Sequence, residues 1–471
     1  MVFSSIVFLS LFFPVVIVLH TAVKNNVFRN VLLLIASLLF YAYGEPVYIL
    51  ILIISALINY IMALVINRWR RKGLLALTVA LNLGILCFFK YTGFILTNIN
   101  TLLNLEIKIP GITMPIGISF FTFQALSYVV DVYRRQVAVQ KNYAKLLLYI
   151  SFFPQLIAGP IVRYKDIAEE IDQRTVTVDN VAFGLRRFIA GLAKKVLIAN
   201  TMGECADYIF NSGADSLNIV AAWIGAVSYL MQIYFDFSGY SDMAIGLGKM
   251  FGFHFKENFN HPYTAVSIQD FWRRWHISLS TWFRDYVYIP LGGNRTGQLN
   301  TVMNRMIVFF LTGLWHGANW TFVVWGLYHG TFLLIEAFVP KLKSLPKALG
   351  HVYTLLVVTV GFVIFRADTL GEALTFISKM FTGFSSDASQ MSFALRALNP
   401  FMIVMTIVAV LACGPLEKLT SKVSLLEQKK DLTKRENVIQ TAVFFCAVLA
   451  LVWCIIRLTG SSYNPFIYFR F

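Results

Sequence analysis

The sequence predicts an all-α protein that crosses a membrane many times, and three observations carry that prediction. Charged residues make up only 14% of the 471 positions and hydrophobic residues 58%, where a soluble domain carries about 25% charged residues. Mean hydropathy is +0.67, and phenylalanine alone supplies 42 residues, too many for a surface facing water. Runs such as Val47–Val65 are apolar on every face, whereas strands of a transmembrane barrel alternate apolar and polar. Finally, 40 Lys and Arg outweigh 24 Asp and Glu, a net charge of +16, and they fall in short loops between the apolar runs. That is cytoplasmic-loop bias rather than a nucleic-acid footprint, with part of the excess available to an anionic donor. An ordinary soluble enzyme and a disordered chain are both excluded.

A span needs about 20 apolar residues. In chain order the candidates are Ser5–His20, Val31–Tyr43, Val47–Ile66, Leu74–Phe89, Leu146–Ile161, Ile219–Phe235, Met306–Leu314 with Thr321–Ile335, Leu355–Phe365, Phe401–Ala412 and Val438–Ile456. Ile116–Val130 and Phe188–Ala199 are shorter and read as re-entrant or buried segments. The expectation is about ten to twelve crossings in a single membrane domain over residues 1–471. There is no internal repeat and no low-complexity linker. Ser5–His20 has no basic residue before it and no small-residue cleavage site, so it reads as a retained crossing rather than a signal peptide.

Basic clusters set the orientation. Arg68, Arg70, Arg71 and Lys72 mark one cytoplasmic loop, and Lys24 and Arg29 agree from two crossings earlier. Lys418, Lys422, Lys429, Lys430, Lys434 and Arg435 mark another. Both termini, including the tail at residues 459–471, are then expected outside. Between them, Glu257–Arg305 mixes Arg273, Arg274, Arg284, Arg295 and Arg305 with Trp272, Trp275 and Trp282. Such a segment either anchors an interfacial helix at headgroup level or forms a vestibule whose guanidinium groups neutralise phosphates of a carrier-bound donor.

Ionisable groups inside apolar spans are costly and therefore candidates for chemistry. His316 is the clearest, in Gly313-Leu314-Trp315-His316-Gly317-Ala318-Asn319-Trp320. Met306–Ile335 is longer than one span requires, so a break at Gly313 or Gly317 is expected, and broken helix at membrane depth belongs against protein or a water-filled cavity. A neutral His316 there can take a proton from an acceptor hydroxyl, with Asn319 orienting the ring or an oxyanion; the alternative is a packing histidine. Arg273, His276 and Ser280 share one helical face by spacing, so His276 either lines the site or sits at an interface. His329 reads as structural. Asp236 and Asp242 either pair with an Arg of the vestibule or form structural ion pairs. Cys87, Cys205, Cys413, Cys446 and Cys454 have neither disulfide nor zinc spacing, and no metal motif, nucleophile elbow or P-loop is present. No bound cofactor or metal is expected, and if the chain is a transferase, the absence of a nucleophile motif points to a His base assisting direct attack by an acceptor hydroxyl.

Five blocks together resemble the membrane-bound O-acyltransferase (MBOAT) family, in its bacterial alginate O-acetylation branch. They are Pro115–Gln124, Phe153–Ile161, Tyr234–Gly246, Asp270–Ser280 and Leu314–Gly317. The resemblance implies helices around a central tunnel, with re-entrant and interfacial segments. It implies acyl transfer from a cytoplasmic thioester, acetyl-CoA being the expected donor, to a hydroxyl. The essential family histidine maps onto His316 and the second onto His276. Arg273, Arg274, Arg284, Trp275, Ser280 and Asn319 are then expected around donor and substrate. The branch implies a bacterial plasma membrane, an extracytoplasmic partner of the SGNH O-acetyltransferase type and a polysaccharide acceptor, with no nucleic acid. The tail Asn464–Phe471 resembles an F-x-Y-x-x-F motif, so Tyr468 is either the outward acyl acceptor or an interfacial aromatic anchor. D-alanyl transfer to teichoic acid and transport of a lipid-linked substrate are the alternative functions.

Overall fold

A computed structural model of the chain describes residues 1–295, 297–342, 345–385, 387–416, 433–461, 463–464 and 466–467. Among the described residues the regular structure is entirely helical. Among the same residues, seven helices are long and apolar enough to cross a membrane: Asn26–Gly44, Ile49–Trp69, Lys72–Leu103, Ile219–Met250, Trp320–Phe338, Lys347–Arg366 and Lys434–Gly460. Ala388–Arg396 and Pro400–Cys413, bent by 67°, make an eighth if they are one broken span. Phe8–Ala22 and Ile118–Tyr133 are apolar but shorter. Tyr468 and the basic residues Lys418, Lys422, Lys429 and Lys430 lie outside the described residues.

Local chemistry explains where these helices start. Asn25, Asn319, Thr369 and Asn399 each accept amide hydrogen bonds at a helix N-terminus, and Thr433 with Glu436 forms a capping box before the last helix. Lys434–Gly460 leaves Val438, Phe444, Phe445, Leu449 and Ile456 exposed, a wall suited to lipid.

One expected span and one expected re-entrant or buried segment differ in form from a single α-helix. Leu146–Ile161 is divided at Phe152 into Tyr143–Ser151 and the short turn Phe153–Leu156, which has Pro154 in its first turn. Phe188–Ala199 belongs to a helical run over residues 178–210 that widens to a π-helical turn at Lys194–Ala199.

The chain divides into two compact units. The first comprises Met1–Phe188 and Met243–Lys256. Its core holds interlocked aromatics, among them Phe3, Phe8, Phe40 and Phe153. Asn59 and Asn82 exchange two hydrogen bonds of 2.9 Å between neighbouring helices, the polar pairing that ties helices together where lipid surrounds them. The second unit comprises Ile189–Asp242 and Glu257–Phe471, and every sequence-derived site residue falls within its bounds.

Candidate functional site

The expected break near His316 is present, but its form differs. Gly313 lies within helix Gln298–His316, and the chain leaves the helix only at Gly317, whose backbone is extended. It then returns along Trp320–Phe338. A Cβ on Gly313 would lie 2.3 Å from the Phe322 carbonyl oxygen, and one on Gly326 would lie 2.3 Å from that of Phe309. The pairs 313 with 322 and 309 with 326 run in opposite directions, so the segments form an antiparallel hairpin whose backbones meet at glycine. Such an approach is available only to residues without a Cβ.

His316 is the last helical residue before the hairpin turn and is 6% exposed. Aromatic edges surround it, with ring centroids of Trp315 at 5.0 Å, Trp325 at 5.0 Å and Phe365 at 5.2 Å. Asn319 does not orient this ring. Its side-chain oxygen accepts from the Thr321 amide at 3.1 Å, and its amide donates to the Asp368 carbonyl at 2.8 Å. Helix capping uses the group.

His276 does not share a helical face with Arg273 and Ser280. The helix Ile268–Arg274 stops, His276 takes left-handed backbone angles (φ 43°, ψ 55°), and a new helix begins at Ile277. A non-glycine residue held in that region stores strain that its surroundings must support. The support comes from Asn258. Its carbonyl accepts the Ile277 amide at 2.9 Å. Its side-chain oxygen accepts from the Ser278 amide at 3.2 Å and the Ser278 hydroxyl at 2.8 Å, and lies 3.2 Å from His276 Nδ1. The Asn258 amide in turn donates to Ser241 at 3.1 Å. With the carbonyl end of Asn258 facing Nδ1, the assigned tautomer carries its proton there. Nε2 is left as the acceptor, and it is buried without a partner among the described residues. Burial pulls the His276 pKa down to about 3, so this imidazole is neutral. Trp315 joins the two histidines, lying 6.0 Å from His276 on one side and 5.0 Å from His316 on the other.

A cavity of about 260 Å³ opens beside this cluster, near the lower end of small-molecule pockets, ~300–1,000 Å³. Arg273, Ser280, Arg284, Arg305, Trp272 and Glu336 are in its wall. Three of the expected residues, Arg273, Ser280 and Arg284, are thus brought together. Arg274 and Trp275 are not: Arg274 pairs with Asp270 at 2.9 Å, and Trp275 packs among Phe259, Phe271 and Phe362. Arg273 and Arg305 make no ion pair among the described residues, while Arg284 holds Asp285 at 2.8 Å. Thr312 also lines the cavity, one helical turn before His316, and Trp325 packs between Trp272 and His316.

Glu336 and Asn258 were missed by sequence reasoning. Glu336 is buried, and its two oxygens accept the Ile268 and Gln269 amides at 2.5 and 3.0 Å, which fixes the start of the helix bearing Arg273. Its signal was present, as the one acid in the apolar helix Trp320–Phe338. Asn258 left none, because its role arises from contacts the fold alone creates. Asp236 and Asp242 pair with lysines, not with vestibule arginines: Lys195 at 2.7 Å and Lys194 at 2.6 Å.

These features define a polytopic helical membrane protein with two histidines buried around one tryptophan, beside a cationic cavity. The chain belongs to the MBOAT, membrane-bound O-acyltransferase, family, whose profile matches residues 38–368, and it is an acyltransferase. It is 39% identical over 494 residues to the "Probable alginate O-acetylase AlgI" of Pseudomonas putida, covering 100% of both chains. It is 35% identical over 519 residues to the "Peptidoglycan O-acetyltransferase" of Helicobacter pylori, covering 100% of this chain and 98% of that one. It is 32% identical over 267 residues to the "Teichoic acid D-alanyltransferase" of Bacillus subtilis, covering 53% of this chain and 67% of that one.

Proposed function

We propose that this protein carries acetyl groups from a cytoplasmic thioester, acetyl-CoA, across the bacterial plasma membrane for O-acetylation of a polysaccharide outside. The observation that carries this reading is the end-to-end similarity to proteins named as acetylating alginate and peptidoglycan, against a match to D-alanyltransferases confined to about half the chain. The cationic cavity supports the donor assignment. Arg273 and Arg305 have no carboxylate partner among the described residues, and an anionic phosphate satisfies both without loss of an ion pair seen there.

In this reading a hydroxyl oxygen attacks the thioester carbonyl carbon, a C–O bond forms and the C–S bond breaks. The hydroxyl proton passes through the His316 imidazole to the departing thiolate. His276, neutral and held by Asn258, serves as a hydrogen-bonding group rather than a strong base. The acceptor hydroxyl is the Tyr468 phenol. A tyrosyl ester is a reactive donor, because phenol (pKa about 10) leaves more readily than an alkyl alcohol. A partner of the SGNH type then moves the acetyl group to a sugar hydroxyl and regenerates the phenol. Both termini lie outside.

The test supplies donor labelled in the acyl carbon to membranes containing the chain and its polysaccharide acceptor system. Labelled acetyl esters are expected with wild type, and none with His316→Ala or Tyr468→Phe at equal amounts of folded protein. Wild-type labelling in His316→Ala removes that residue from the mechanism. Alanyl esters in place of acetyl esters return the protein to the D-alanyl reading.

A further inference from the structure

We infer that the buried Lys195–Asp236 ion pair is a clamp that holds the C-terminal segment, with Asp236 as a positioning residue that receives the backbone of Ile467. The Ile467 amide donates to Asp236 Oδ2 at 2.8 Å. The other Asp236 oxygen lies 2.7 Å from Lys195 Nζ, and the two side chains are 2% and 3% exposed. Lys195 also donates to Asn200 at 2.8 Å. The Asn200 amide reaches back to the same segment, to the Tyr463 carbonyl at 3.3 Å and the Asn464 side-chain oxygen at 3.2 Å. Phe466 stacks on Tyr240 at 4.6 Å, both rings buried. An outer anchor repeats the arrangement: the Tyr463 hydroxyl donates to Asp207 at 2.6 Å, and Asp207 pairs with Arg366 at 2.6 Å. Every contact lies within the second unit.

Two features show that the rest of the fold makes room for this segment. A Cβ on Gly203 would meet the Tyr463 hydroxyl at 2.8 Å, so the helix face under the segment is bare where the segment crosses it. The π-helical turn at Lys194–Ala199 lets consecutive lysines reach different carboxylates of one helix, Lys194 to Asp242 and Lys195 to Asp236. Such turns cost hydrogen-bond geometry and are retained mostly where they serve a function. A buried ion pair is weak evidence for stability, because desolvation offsets much of its attraction. Here its polar capacity is directed at the main-chain amide of Ile467. Ile467 directly precedes Tyr468 in the sequence, and the consequence for acyl transfer rests on the proposed role of that tyrosine.

Carboxypeptidase digestion of the purified full chain in detergent, followed by intact mass, tests the clamp. Removal of Ile467 is expected to be about ten- to a hundredfold faster in Asp236→Ala than in wild type, the population change that follows loss of a charged hydrogen bond. Asp236→Ala leaves Lys195 buried without its carboxylate, so Tyr463→Phe provides a second arm. It removes only the outer anchor, leaves Asp207 paired with Arg366, and is expected to speed trimming severalfold. If Asp236→Ala fails to fold, Tyr463→Phe and Asp236→Asn decide. Wild-type trimming rates in the folded variants overturn the clamp. Faster trimming with reduced esterification supports both the clamp and the acyl-carrying tail. Faster trimming with unchanged esterification keeps the clamp and refutes the tail's proposed chemistry.

Discussion

Replacing Gly326 by alanine adds one methyl group where the hairpin has no space. The new Cβ would stand 2.3 Å from the Phe309 carbonyl oxygen and 3.2 Å from both the nitrogen and Cα of Gly313. Ordinary contact begins near 3.4 Å, and the obstacle is backbone, which cannot rotate away as a side chain can. The helices must therefore part by about 1 Å. Overpacking of this kind costs about 1–3 kcal/mol, and a displacement of ~1 Å at a reacting group costs about a hundredfold in rate. Gly326→Ala should lower the thermal midpoint of the purified protein and cut acetyl transfer per folded molecule by one to two orders of magnitude. Gly84→Ala is the matched control. It makes the same chemical change inside another helix, with nothing within 4 Å of the new Cβ, and should raise stability by about 0.5–1 kcal/mol. Stability and activity of Gly326→Ala equal to wild type would refute the claim that glycine contact between these helices places His316.

Four further outcomes follow from the site. Asn258→Ala removes the oxygen shared by His276 and Ser278; transfer should fall at least tenfold, and Asn258→Asp should recover part of it, both read as kcat on folded protein. Arg305→Ala and Arg273→Ala should each raise the KM for the thioester donor about ten- to a hundredfold with little change in kcat, since the lost contacts bind ground and transition states alike. Glu336→Ala strips the acceptors from one buried and one half-buried amide and should cost about 1.5–3 kcal/mol, with Glu336→Gln losing roughly half as much, measured by chemical or thermal unfolding. His276 has a folded pKa depressed to about 3 by burial, against about 6.5 when unfolded. The unfolded state thus binds a proton that the folded state refuses. Its stabilising contribution is complete above pH 6.5 and is lost as pH falls towards 3, by up to about 1.4 kcal/mol per pH unit; His276→Gln should remove that dependence from a pH series of thermal midpoints.

The sequence made the membrane class, the long spans and the break beside His316 legible, because each is written in local chemistry. Apolar runs without polar faces exclude water, and Gly317 follows directly on His316. What it concealed depended on contacts between distant residues. Spacing placed Arg273, His276 and Ser280 on one face because periodicity assumes an unbroken helix; the Asn258 carbonyl captures the Ile277 amide and turns His276 inward instead. Asn319 appeared free to orient an oxyanion until the return helix claimed it as a cap. Asp236 and Asp242 were recognised as ion-pair carboxylates, but their partners are lysines on a helix whose π-helical turn has no distinct sequence signature.

The arrangement of charge in the second unit separates two tasks. Around the cavity, Arg273, Arg284 and Arg305 share the wall with one lining carboxylate among the described residues, Glu336; that carboxylate is committed to two main-chain amides, and Arg284 holds Asp285. The cavity is therefore cationic, and among the described residues Arg273 and Arg305 make no ion pair. Around the C-terminal segment, Asp236, Asp242 and Asp207 are matched one to one by Lys195, Lys194 and Arg366. Unmatched charge invites a ligand from solution, whereas matched and buried charge fixes a structure already present. The histidines belong to neither set. His276 and His316 sit among aromatic rings about Trp315, and burial keeps the His276 imidazole uncharged. A neutral imidazole is the form that receives a proton from a hydroxyl, which is the part the proposed function gives to His316.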